Sequence, residues 1–193
     1  SGNAGNNSLD GGNDDAVDIL VGNGGSDTFI GSRGPKVGDY LQGATGDDLY
    51  VVSTTLDKIS DAGGTDLVSS SVSYDLGSIL VSGIEHLTYT GLTEATLRGN
   101  TIGNSLTSES ASDDTLIGGA GSDTLRGGGG ADSMAGGADN DYYVISSGSE
   151  ILYEVAGEGD ADTALVEISG SSVVYNLEAT SAVENIFYTG IGH

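Results

Sequence analysis

The chain has 193 residues, with 5 Lys+Arg against 29 Asp+Glu, a formal net charge of −24, 34 glycines and no cysteine. Such an acidic balance excludes nucleic acid and anionic membranes as partners, and a chain without cysteine has no disulfide framework. No apolar stretch approaches the ~20 residues of a membrane-spanning helix, and so charged and glycine-rich a chain needs more than a hydrophobic core to fold.

Residues 2–51 hold the first predicted elements. Clean nine-residue units stand at 22–30 and 43–51, each a glycine-rich turn closed by an aspartate (Asp27, Asp48) and followed by a step with one large apolar side chain (Phe29, Tyr50). The units around them are less regular. Asn7 stands where aspartate is expected, and Asn13-Asp14-Asp15-Ala16 lacks the glycines that should precede Asp18. Residues 31–39 lengthen their unit and carry the only proline, Pro35, beside Arg33 and Lys36. That stretch is expected to protrude as a solvated loop and to distort the position of Asp39. Leu9, Leu20, Phe29, Leu41 and Tyr50 are spaced to stack as apolar ladders.

Residues 52–98 lose the glycine period and alternate instead, as in Leu67-Val68-Ser69-Ser70 and Ile84-Glu85-His86-Leu87. They read as β-coils that continue the same solenoid. No segment carries a helical period over three turns, although residues 76–81 admit a short helix.

Residues 99–144 repeat the first run. Asn104 again replaces the aspartate, and Ser110-Ala111-Ser112-Asp113 lacks the glycines before Asp114. Three consecutive units then follow at 118–126, 127–135 and 136–144, with Asp123, Asp132 and Asp141 as sixth residues. Leu106, Leu116, Leu125, Met134 and Tyr143 supply the ladder. Tyr142 adjoins Tyr143, so one faces the core and the other solvent. Residues 145–193 alternate like 52–98, and Glu184-Asn185-Ile186 matches Glu85-His86-Leu87. The duplication has a period of about 97 residues and divides the chain into modules 1–98 and 99–193.

Nine residues and an aspartate have a physical reason. Two units make one flattened coil, so units two apart stack along one rim, with strands about 4.8 Å apart. Calcium binds oxygen at roughly 2.3–2.6 Å, so two oxygens on either side of one ion span the coil spacing. Without an ion, unit charges about 4 Å apart repel by roughly 4 kcal/mol at an effective dielectric of 20. The predicted fold is an all-β parallel β-roll, a solenoid of calcium-binding nonapeptides with β-coil spacers.

The units at 22–30, 43–51 and 118–144 resemble the repeats-in-toxin (RTX) family of hemolysins, secreted proteases, lipases and epimerases. The resemblance implies that the sixth-position aspartates Asp18, Asp27, Asp39, Asp48, Asp114, Asp123, Asp132 and Asp141 bind calcium. Stacking pairs Asp114 with Asp132, Asp123 with Asp141, Asp27 with Asp48, and Asp18 with Asp39. The resemblance adds the carbonyls of Gly22, Gly24, Gly43, Thr45, Gly118, Ala120, Gly127, Gly129, Gly136 and Ala138. At least four ions are expected, with weak or empty positions at Asn7 and Asn104, and with Asp15, Asp47, Asp113 and Asp139 as neighbouring charge. It further implies the C-terminal region of a large secreted protein, exported by type I secretion from a Gram-negative bacterium. The expected function is calcium-induced folding of a structural module; the alternative is a module binding a glycan or cell surface. Arg33 and Lys36 read as a solvated insertion rather than a grip for an acidic partner. No catalytic residue is assigned: His86 and His193 are the only histidines, and neither a zinc motif nor a serine elbow occurs.

Overall fold

Strands here are short because each unit offers only a few residues of alternating in-and-out pattern before the next turn. The computed structural model describes residues 1–34, 36–78, 83–154, 161–167 and 183–188, and the chain divides into two units, Ser1–Thr90 and Gly91–His193.

The first unit contains β1 (Ser8–Asp10), β2 (Ile19–Val21), β3 (Thr28–Ile30), β4 (Tyr40–Gln42), β5 (Leu49–Val52), β6 (Lys58–Ser60), β7 (Leu67–Ser70), β8 (Tyr74–Asp75) and β9 (His86–Tyr89). Successive strands do not pair with each other. β1, β3, β5, β7 and β9 form one parallel array and β2, β4 and β6 another, as a coil of two units requires. The second unit repeats the rule with β10 (Thr96–Arg98), β11 (Ser105–Ser108), β12 (Thr115–Ala120), β13 (Thr124–Arg126), β14 (Ser133–Ala138), β15 (Tyr142–Ile145), β16 (Ile151–Tyr153), β17 (Thr163–Val166) and β18 (Asn185–Tyr188). There β10, β12, β14 and β16 pair in parallel, as do β11, β13, β15 and β17, while β18, the next described strand, departs from the alternation and pairs with β17 itself.

Register stacks like on like. In the first unit one ladder runs Leu9, Phe29, Tyr50, Val68, Leu87 and the other Leu20, Leu41, Ile59. In the second unit the ladders are Leu106, Leu125, Tyr143, Ala164 and Leu97, Leu116, Met134, Leu152. Most of these side chains are wholly buried. The Phe29 and Tyr50 rings stack at 5.0 Å, 11° from parallel, an arrangement worth about 1 kcal/mol beyond its area. Tyr143 is fully buried and Tyr142 half-buried, following the two-residue alternation of a strand.

The glycine-poor stretches keep the same coils: β6, β7 and β9 in the first unit, and β16, β17 and β18 in the second, extend the arrays begun by the nonapeptides. Residues 76–78 form a 3-10 turn, Leu76–Ser78, and residues 79–81 lie outside the described residues. One difference from the sequence reading concerns β12 and β14, which run through their glycines as far as Ala120 and Ala138, with Gly119 over Gly137. Turn backbones on adjacent coils are themselves laddered, because the identical conformations of successive units stack in register.

Candidate metal centres

The residue immediately before a strand occupies the rim of the coil, and there the sequence is acidic again and again. Asp18, Asp27, Asp39, Asp48, Asp114, Asp123, Asp132 and Asp141 precede β2, β3, β4, β5, β12, β13, β14 and β15 respectively. Each rim is stitched by a repeated pair of hydrogen bonds. The N–H of one acid donates to the Oδ1 of the acid one coil on: Asp27 to Asp48 at 2.7 Å, Asp18 to Asp39 at 2.9 Å, Asp114 to Asp132 and Asp123 to Asp141 both at 2.8 Å. In return, the first residue of the next coil's strand donates to the lower acid's carbonyl, as Leu49 does to Asp27 and Tyr142 to Asp123. The structure thus brings together all four aspartate pairs read from the repeat. Their contact runs from backbone N–H to carboxylate, not from carboxylate to carboxylate.

That bond uses one carboxylate oxygen. The other, Oδ2, is buried with no hydrogen-bond partner in Asp27, Asp39, Asp48, Asp123, Asp132 and Asp141. An orphaned carboxylate oxygen is expensive unless something positive meets it. Glycine keeps that space open. A Cβ on Gly22, Gly43, Gly118, Gly127 or Gly136 would fall on the Oδ2 of the aspartate closing the same turn. The second and fourth turn residues are left-handed: Asn23, Gly25, Ala44, Gly46, Gly119, Gly121, Gly128, Gly130, Gly137 and Asp139 have φ from 73° to 121°. They bracket the residues whose carbonyls the sequence reading nominated: Gly22, Gly24, Gly43, Thr45, Gly118, Ala120, Gly127, Gly129, Gly136 and Ala138. Thr45 stacks over Gly24, and Ala120 is in register with Ala138.

Burial shows in the acidities. Loss of solvent pushes the carboxyls of Asp48, Asp132 and Asp141 up to about 6 and that of Asp123 up to about 7. The N–H bond from the preceding coil opposes that rise, and neighbouring carboxylates reinforce it.

Three departures have local causes. Asp39 is not distorted, contrary to expectation: it is fully buried, accepts from Asp18 and donates to Asp57 at 2.9 Å. The insertion before it is held outside the coil, where Arg33 pairs with Asp10 and Lys36 with Asp15, each at 2.9 Å; Pro35 lies outside the described residues. Asp114 has no orphaned oxygen, because Ser108 Oγ donates to its Oδ2 at 2.6 Å. The Ser108 and Ser110 hydroxyls also accept from the turn, from the N–H groups of Ser110 and Ser112 respectively, and so take over where glycines are missing. Asn7 and Asn104 close their own turns, each Oδ1 accepting at 2.7 Å from the N–H of Asn3 or Asn100.

The acid row continues along the rim beyond the nonapeptides. Asp57, Asp66, Glu85, Glu150, Asp162 and Glu184 precede β6, β7, β9, β16, β17 and β18. Asp48 donates to Asp66 and Asp66 to Glu85 at 2.8 and 2.9 Å; Asp141 donates to Asp162 and Asp162 to Glu184 at 2.7 and 2.8 Å. Asp57 and Asp66 are fully buried with orphaned Oδ2 atoms, and burial lifts them to about 6 and about 7. A signal existed: the nine-residue spacing of Asp39 and Asp48 carries on through Asp57 and Asp66, and that of Asp132 and Asp141 reaches Glu150.

Hard oxygen donors, negative charge and space kept clear by glycine fit a calcium-like divalent cation, since among the described residues the rims offer carboxylates and carbonyls but no imidazole or thiolate. Residues 14–34 and 110–143 match the family model of the RTX calcium-binding nonapeptide repeat, in four copies. No curated protein matches the chain.

Proposed function

The chain belongs to the RTX calcium-binding repeat family, and from that membership we propose that it is a structural module whose folding is driven by calcium. The observation that carries this reading is the row of buried, partnerless Oδ2 atoms along each rim. Asp27, Asp39, Asp48, Asp123, Asp132 and Asp141 would hold the ions, with Asp18 and Asp114 at the ends of their rims and the turn carbonyls named above completing the oxygen shell. At least four ions bind. Calcium supplies the positive charge these carboxylates lack; the chain supplies the spacing, through the coil-to-coil bonds that fix each Oδ1.

At a net charge of −24 and with glycine turns costly in conformational entropy, the chain stays open where calcium is scarce. That state suits passage through a type I secretion channel. Outside a Gram-negative cell, near-millimolar calcium matches the roughly 10⁻⁴–10⁻³ M affinity of extracellular calcium modules, and folding follows binding. The role is mechanical and organisational rather than catalytic, and each module, 1–98 and 99–193, is read as one such unit.

The test is circular dichroism with calcium and with excess chelator. The expected outcome is a large gain of β-signal on adding calcium, reversed by the chelator. Full β-signal in chelator at neutral pH would overturn the proposal. A glycan-binding role is tested separately, by calorimetry with polysaccharides in calcium.

A further inference from the structure

One position on the rim breaks the glycine rule in a way that adds a ligand. In the glycine-rich coils, the residue five before a rim aspartate is glycine, which keeps the space beside Oδ2 bare. Five before Asp66, that place is taken by Asp61. Its side chain turns inward and is 1 % exposed. Asp61 Oδ2 accepts the Tyr50 hydroxyl, and its Oδ1 accepts the Gly63 N–H at 3.0 Å.

Three carboxylates meet there. One oxygen from each of Asp48, Asp61 and Asp66 lies within 4.8 Å of the other two, twice a calcium–oxygen distance of about 2.4 Å. Asp48 and Asp66 are 2 % and 0 % exposed, and the Oδ2 of each has no partner. Gly43 marks the point where the donors converge: a Cβ on it would meet Asp48 Oδ2, the Tyr50 hydroxyl and Asp61 Oδ2 at once. Among the described residues, the salt bridges lie elsewhere, on Asp10, Asp15 and Glu167.

The second unit repeats part of this arrangement, around Glu154. Glu154 stands as far after Asp141 as Asp61 does after Asp48. It is buried, its Oε1 accepts the Gly136 N–H at 3.1 Å, and its Oε2 has no partner. A Cβ on Gly136 would meet Asp141 Oδ2 and the Tyr143 hydroxyl, just as Gly43 faces Asp48 and Tyr50. Burial, with Asp162 and Asp141 nearby, lifts Glu154 to about 7.

We propose that Asp48, Asp61 and Asp66, capped by Tyr50, form a three-carboxylate cation site that ends the glycine-rich run of the first unit. Asp141 and Glu154 beside Tyr143, with the Asp162 carboxylate nearby, form its looser counterpart in the second. The inference rests on the calcium reading above and goes past it: these two sites carry one more negative charge than a rim position bridged by two aspartates. Since ligand charge sets calcium affinity, they fill first, and they favour a trivalent lanthanide more strongly than the rest.

The experiment is calcium calorimetry and tyrosine-sensitised terbium luminescence on the full chain, with D61N, E154Q and D27N as variants. The wild type is expected to show a tight class of two ions and a weaker class. D61N should weaken one tight ion by about tenfold or more and remove its share of early terbium emission, leaving the weaker class unchanged. E154Q should do the same for the other tight ion, and D27N should reduce only the weaker class. Tight binding unchanged in both D61N and E154Q would overturn this inference while leaving the calcium roll intact, the acids then sharing protons rather than a cation. No calcium binding by the wild type would overturn both. If D61N fails to reach the wild-type spectrum in excess calcium, E154Q decides by the same criteria.

Discussion

Ala44 shows how much the turn asks of a single residue. It sits at φ 84°, where the equivalent residues of the second unit, Gly119, Gly128 and Gly137, are glycine. A left-handed alanine is strained by about 1 kcal/mol or more, so Ala44→Gly should stabilise the calcium-loaded protein by about 1 kcal/mol despite the extra freedom glycine gives the unfolded chain. The urea midpoint measures it, and a neutral or lower value would refute the strain argument. Asn23 holds the same conformation at less cost, because asparagine tolerates it and its amide donates to the Gly2 carbonyl at 3.0 Å. Legibility at this scale was uneven. A sixth-position aspartate after glycines was readable as a rim acid, whereas Asp57, Asp66 and Glu85 follow glycine-poor or irregular turns and were missed. Glycine is needed only where a Cβ would strike Oδ2, so an acid can hold its place on the rim without the whole motif.

At the scale of the strand, stability comes from stacking like side chains at the coil spacing. Leu125 is fully buried between Leu106 below and Tyr143 above. Leu125→Ala should cost about 3 kcal/mol, typical of a leucine truncated in a closed core, read as a lower urea midpoint in calcium with an unchanged m-value. A loss below about 1 kcal/mol would mean that the ladder can collapse onto the gap. This layer was the most legible in the sequence. One large apolar residue two places after each rim acid named Phe29, Tyr50, Leu125 and Tyr143 directly, and alternation in the glycine-poor stretches correctly announced further coils. The extension of β12 and β14 through their glycines was not legible, because glycine signals a turn, and only stacking against an identical turn makes that backbone pair.

The whole molecule has a charge problem with two solutions, cation or proton. In chelator, the buried acids Asp48, Asp57, Asp132 and Asp141 sit at about 6, and Asp66, Asp123 and Glu154 at about 7, above the unfolded carboxylate range of about 4. The folded state therefore binds protons more tightly than the unfolded chain between those limits. The resulting stability is complete below about pH 4 and is lost as pH rises through 6 to 7. Apo protein should accordingly gain β-signal on acidification from pH 7.5 to 5. In saturating calcium the slope should invert, because binding needs the carboxylates ionised. Parallel pH series of circular dichroism, with chelator and with calcium, check both; equal slopes would show that the rim acids do not respond to the ion.

The sequence by itself determined the coil. Nine-residue spacing, glycine before aspartate and a single apolar step fix where the chain turns, which side chains face inward and which aspartates ride the rim, because all of these are local requirements that each unit states for itself. Tertiary structure decided what depends on the neighbouring coil: which oxygen of each aspartate is bonded and which is orphaned, and how Asp61 meets both Asp48 and Asp66. Those relations join residues on different coils, and they exist only once stacking has brought the coils together.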